Sequence, residues 1–136
     1  MQITSEQVQA QVPVTILRLT GDVDGSNYRD IISRAHELYQ EGARTLLIDL
    51  GAVPFMSSAG LVALNNIALS FNGKETPDVD EGWRAIRAVG DAESAGMQGR
   101  VKLLNPGPRV AKVLEQTGLL SFFPVYDDQA TALKSF

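Results

Sequence analysis

A chain of 136 residues, 44% of them hydrophobic, is long enough to bury one core, so residues 1–136 are expected to form a single domain. It has no cysteine and one histidine, which removes disulfides, thiolate metal sites and cysteine nucleophiles and leaves no zinc-ligand set. A net charge of −4 and a pI near 4.9 argue against docking to nucleic-acid phosphates or anionic membranes, and favour a protein partner or a small ligand.

No apolar run approaches the roughly 20 residues that span a bilayer. The opening Met1-Gln2-Ile3-Thr4-Ser5-Glu6 lacks the basic and apolar regions of a secretory signal, so a cytoplasmic location is expected. Residues 2 to 12 alternate loosely, with Ile3, Val8 and Val12 among glutamines, as in a polar edge strand. Val14 to Leu19 is a stronger strand, rich in β-branched residues and entered through Pro13. Thr20-Gly21-Asp22-Val23-Asp24-Gly25 reads as a turn, and Ser26 or Asn27 can cap the next helix. In that helix Tyr28, Ile31, Ile32, Ala35, Leu38 and Tyr39 form one apolar stripe, closed by Gly42.

Leu46-Leu47-Ile48 leads through Asp49 and Leu50 as a buried strand, with Gly51 and Pro54 ending the run. Ser57 and Ser58 then precede Gly60-Leu61-Val62-Ala63-Leu64, the start of a helix to about Leu69. Leu61, Leu64 or Asn65, and Ala68 or Leu69 are its expected inward positions. This geometry holds a serine at the surface, on the positive end of a helix dipole. Residues 72 to 99 read as a long loop insertion, rich in breakers and charges at its start and in glycine at its end, with a short helix around Trp83. Trp83 suits packing or docking. Val101 to Leu104 is a strand, Asn105-Pro106-Gly107 a turn, and Pro108 the first position of a helix striped by Val110, Val113 and Leu114 and capped by Gly118. A last short strand lies within Phe122 to Tyr126. Asp127 or Asp128 starts a final helix carrying Ala130, Leu133 and Phe136.

The order β-β-α-β-α-β-α-β-α implies an α/β fold, a mixed and mostly parallel sheet of about five strands with about four helices packed on it. The opening pair of strands is open to antiparallel pairing.

Four segments in order resemble the STAS domain family, specifically its bacterial anti-sigma factor antagonists. Leu19-Thr20-Gly21-Asp22-Val23-Asp24 is similar to the family's Leu-Thr-Gly-Glu-Leu-Asp turn. Asp49-Leu50, Phe55-Met56, Ser57-Ser58-Ala59 and Gly60-Leu61 resemble its Asp-Leu, aromatic-Met, Asp-Ser-(Ser or Thr) and Gly-Leu signature. Leu104-Asn105-Pro106 with Pro108-Arg109-Val110 resembles the entry to its third helix, and Leu114 to Leu119 resembles its Leu-x-x-Thr-Gly-Leu close. The resemblance spans the chain outside the segment near 72–99.

It implies a binding switch rather than an enzyme, with no cofactor and no metal. The partner it implies is an anti-sigma factor that is also a serine protein kinase, with a serine phosphatase reversing the mark. By position, Ser58 is the phosphorylation site, and Asp22, Asp24, Ser57, Ser58, Ala59 and Gly60 make up the partner-binding surface. Ser57 stands where the family has Asp, which makes it a second candidate acceptor, and Ala59 stands where the family has a hydroxyl residue. The alternative reading is a constitutive interaction, scaffold or small-ligand-sensing domain in which that Asp-to-Ser change has retired the switch. Asp22 and Asp24 serve equally well as turn residues, and Ser58 as a helix cap. A serine hydrolase would need a base, and His36 falls on the expected solvated face of the first helix.

Overall fold

The computed structural model describes residues 2–71, 100–118 and 123–136. The expected insertion at 72–99, with Trp83 and its short helix, lies outside the described residues, as do Leu119 and Phe122. Strand β1 (Gln2–Gln9) pairs antiparallel with β2 (Pro13–Thr20) over eight unbroken positions, from Gln2 opposite Thr20 to Gln9 opposite Pro13. Strands β3 (Leu46–Ala52), β4 (Val101–Leu104) and β5 (Val125–Tyr126) follow in parallel, each beside the one before, giving the order β1-β2-β3-β4-β5. The helices are α1 (Tyr28–Gln40), α2 (Ser58–Phe71), α3 (Pro108–Gln116) and α4 (Gln129–Lys134). Five strands and four helices among the described residues, in the expected order, make this the mixed α/β sheet that the hydrophobic pattern implied.

Alternation along the strands divides the core in two. Leu17, Leu19, Leu46, Ile48, Leu50, Val101 and Leu103 share the larger cluster with α1, α2 and α3. Val14, Ile16, Leu47 and Leu104 point the other way and pack on Ala132 of α4. Strands covered on both faces read as continuous apolar runs, which is why Val14–Leu19 and Leu46–Leu50 stand out in the sequence. Charge on the smaller face is compensated by neighbouring strands and by α4. Arg18 bonds Glu6 and the amide of Gln129, and lies 3.4 Å from Asp49. Lys102, only 6% exposed, donates 2.8 Å bonds to the carbonyl and hydroxyl of Ser135 and sits 4.4 Å from the Phe136 ring. A buried ammonium is tolerated here because carbonyl, hydroxyl and ring faces replace its water.

Four expectations about local detail are corrected. Gly51 does not end β3, which runs on to Ala52. Helix α2 has no single inward stripe: every residue from Gly60 to Leu69, and Phe71, is buried. A helix apolar all round belongs inside the protein, and α1 covers part of it. There His36, expected on a solvated face, is half-buried with its Nε2 3.1 Å from the Asn66 carbonyl oxygen, and Tyr39 meets Phe71 edge to face at 5.3 Å. In α4, Asp128 is the cap, accepting from Thr131 N at 3.0 Å, but Ala130 is exposed and Ala132 is the buried residue.

Helix α3 begins at Pro108 and holds to the core through Val110 and Leu114. Leu114→Ala is expected to lower unfolding free energy by about 3 kcal/mol in urea titration, the usual cost of a leucine-sized cavity. A loss under about 1 kcal/mol would mean that α3 is not anchored there.

Candidate functional site

In an open parallel sheet the loops beyond the carboxyl ends of the strands are where partners and ligands meet the fold. Here the loops after β2 and β3 are joined. Gly21 N donates to Ala52 O at 3.0 Å, Val23 N to Phe55 O at 3.0 Å, and Ser57 N to Val23 O at 2.8 Å. Val23 and Met56 form a parallel bridge beyond the strands and are both buried. Sheet pairing therefore continues past the strand ends, up to the first turn of α2.

Gly60 completes the join. A Cβ on it would lie 2.3 Å from Met56 Cγ and 3.0 Å from Val23 Cγ1. Glycine is required because the helix passes directly over the Met56 side chain. Gly60 itself is buried and Ala59 half-buried.

The two serines differ. Helix α2 starts at Ser58, so Ser57 takes the cap position: its half-buried hydroxyl accepts from Ala59 N at 3.2 Å and its carbonyl accepts from Gly60 N at 3.0 Å. Ser58 is exposed in the first turn, where α2 has no acidic side chain. The capping role considered for Ser58 belongs to its neighbour.

Asp22 and Asp24 flank Val23, across the join from Phe55 and Ser57. Asp24 Oδ1 accepts from the Ser26 hydroxyl and, at 2.9 Å, from Ser26 N. Those two bonds to the charged form, the hydroxyl's first, hold its carboxyl below the ordinary value of 3.8. Asn27 stands at the cap position of α1 but does not cap it. Its Oδ1 accepts from Asp24 N at 3.0 Å and its Nδ2 donates to Asp22 O at 2.8 Å, so the side chain ties the loop instead of the helix. Asp49 is used inside the sheet, accepting from Gly51 N at 2.9 Å. Asn105 has a left-handed backbone, φ 55°, and donates its N–H to Tyr126 O at 2.6 Å.

Sequence reasoning passed over Phe55 as a surface residue. It is 43% exposed beside buried Met56. The signal was available: in an extended segment neighbouring side chains point opposite ways, so an inward Met56 sends Phe55 outward. Among the described residues no cluster of three His, Asp or Glu side chains could hold a metal, and no helix is long and apolar enough to cross a membrane.

A sequence model of the STAS domain matches residues 6–76, just over half of the chain and the whole of this joined region. The chain belongs to the STAS domain family. Over all 136 residues it is 26% identical to BtrV of Bordetella bronchiseptica, a candidate anti-sigma factor antagonist, 95% of whose length is covered. In fold this STAS domain is similar to a candidate anti-sigma factor antagonist of Thermotoga maritima, with a TM-score of 0.71 and 19% identity over 97% of this chain and 92% of the other. It is also similar to phosphorylated SpoIIAA, a Bacillus cell fate determinant, with a TM-score of 0.55 and 21% identity over 96% of each chain.

Two consequences for this STAS domain can be measured. Gly60→Ala forces Met56 or α2 to move, and is expected to cost about 1–3 kcal/mol, the range of an overpacked core. An unchanged melting temperature would mean that the contact gives freely. Because the folded-state pKa of Asp24 is depressed, its stabilisation is present above the unfolded value and is lost as pH falls through the folded value. Asp24→Asn should therefore be less stable than the parent at pH 7, with the gap closing as pH falls below about 4. A pH-independent gap would assign the loss to something other than the charge.

Proposed function

We propose that this STAS domain is a phosphorylation-controlled anti-sigma factor antagonist of the cytoplasm, acting as one domain. Unphosphorylated, it binds an anti-sigma factor that is also a serine kinase and so releases the sigma factor. Phosphorylation of Ser58 ends that binding and a serine phosphatase restores it. The observation that carries this reading is the division of labour between the serines: Ser57 caps α2, and Ser58 is left exposed with no structural duty assigned to its hydroxyl. The likeness to BtrV, and to a SpoIIAA that exists in a phosphorylated form, supports the same reading.

The physics suits a binding module. A phosphate brings about −1.5 to −2 charges at neutral pH. The free amides and dipole at the start of α2 favour an anion there, so the domain tolerates the group. A docked partner does not, because a dianion in an interface with Asp22 and Asp24 close by meets both desolvation and repulsion. A ~1,000-fold loss of affinity needs only about 4 kcal/mol. Phe55 supplies an exposed aromatic side chain near the serine in sequence, of a type enriched in protein interfaces. His36 is bonded to Asn66, about two turns along α2 from the serines, and so is not placed as a base for either.

One observation favours the alternative of a constitutive interaction domain: Ser57 replaces the family carboxylate and spends its hydroxyl on the helix. Incubation with the cognate kinase and ATP, followed by intact mass and peptide mapping, separates the two. The expected result is one phosphate on Ser58, lost in Ser58→Ala and kept in Ser57→Ala. No phosphate, with partner binding retained, would establish the constitutive reading, and a phosphate on Ser57 would move the switch. Ser58→Asp is expected to weaken partner binding while the melting temperature stays within a few degrees.

A further inference from the structure

Helix α3 carries its charges against its own dipole. Gly107 is the cap residue and Pro108 the first helical position, so Arg109 stands in the first turn, where free amides favour an anion. The last turn holds Glu115 and no basic residue, although the carbonyls there favour a cation. Lys112 follows Arg109 by three residues, on the same side of the helix, where like charges repel. Both side chains are exposed, and neither has an ion pair or hydrogen bond among the described residues. Arg18 and Arg34, by contrast, are tied to carboxylates. Stability does not account for two unpaired bases that weaken the helix they stand on.

The fold puts these bases on the same end of the sheet as Ser58. Strands β2, β3 and β4 are parallel neighbours, so the loops that follow them leave at one end and in that order. The first loop carries Asp22 and Asp24, the second leads through Phe55 to Ser58, and the third leads into Arg109. The ends of β3 and β4 touch there: a Cβ on Gly51 would lie 3.1 Å from Asn105 Nδ2 and 3.8 Å from Asn105 Cβ. Asn105, with its left-handed backbone, turns the chain from β4 toward α3. Lys112 lies about 4.5 Å farther along that helix. Arg29 and Asp30, in the first turn of α1, offset each other. Across this end the charge therefore runs from acidic, through the neutral serine, to basic.

We propose that Arg109 and Lys112 extend the docking surface and receive an acidic segment of the partner protein, beside the Ser58 contact; this rests on the reading of the domain as an anti-sigma factor antagonist. Charge decides the class of occupant. A nucleic acid or an anionic membrane presents extended phosphate charge, which would also meet Asp22, Asp24 and Glu115 on a chain of net charge −4. Carboxylates on a protein surface can be confined to the α3 side, where the two bases meet them. Complementarity of this kind fixes which way round a partner sits and speeds its encounter.

Stopped-flow association and calorimetry with the cognate anti-sigma kinase test it, on the full chain at about 50 and 300 mM salt, which differ in screening length. Arg109→Glu combined with Lys112→Glu is expected to slow association by about tenfold at the lower salt. The gap should narrow at the higher salt, and Glu115→Lys should speed association. Arg109→Glu puts an acid where the α3 amides favour one, so its melting temperature should be unchanged or higher, which separates lost binding from lost folding. A double variant that associates at the parental rate, while the parent binds, would overturn this proposal alone. A loss equal at both salts would assign the effect to shape rather than charge and would overturn it too. Binding of the parent to a DNA duplex or to anionic lipid vesicles, lost in the same variant, would give the face a different occupant and likewise overturn it. A parent that binds no anti-sigma kinase would take down the proposed function, and this assignment with it.

Discussion

The presentation of Ser58 depends on the backbone bridge between Val23 and Met56. Three hydrogen bonds lace the two loops, and the buried pair of side chains beneath them fixes where α2 begins. The absence of a side chain on Gly60 is part of the same contact, because only a bare Cα can pass over Met56 at that distance. Everything at the surface follows from this base. Ser57 is held by both its N–H and its hydroxyl, Phe55 is turned outward, and Asp22 and Asp24 are brought beside the serine loop although they are more than thirty residues away in sequence.

The sheet below supplies rigidity by covering both of its faces. Among the described residues the larger face takes three helices and the smaller takes the six residues of α4, held in place by polar bonds as much as by burial: Gln129 to Arg18 at one end and Ser135 to Lys102 at the other. With so little apolar area under α4, those bonds set its position, and the apolar contacts of Ala132, Leu133 and Phe136 fill in around them.

Much of this was legible in the chain. Apolar runs bounded by glycine and proline located β2, β3, β4 and α3, because a doubly covered strand and a proline-led helix each leave a strong local pattern. Ser58 as an exposed residue was also readable. What was missed depends on register or on distance. Ser57 and Ser58 are chemically equal as caps, and a one-residue shift in helix start decides which one bonds. Of Ser26 and Asn27 neither caps α1, because both side chains are spent on the Asp22–Asp24 loop. Helix α2 was read as striped, with Leu61, Leu64 or Asn65, and Ala68 or Leu69 inward, yet Asn65 and Asn66 are both buried with the rest, and Asn66 meets His36 thirty residues earlier. In a helix as short as α4 the pattern is too brief to choose between Ala130 and Ala132.

A helix wrapped in apolar contacts on all sides, as α2 is, has no wet side to roll toward. Turning or sliding it would open voids that nothing nearby can fill. A protein docking here as proposed would therefore meet a shape already set on this side. Encounter rates for such a partner would then be governed by diffusion and by the sign of the local field, which would make them responsive to ionic strength in a way that a slow conformational step would hide.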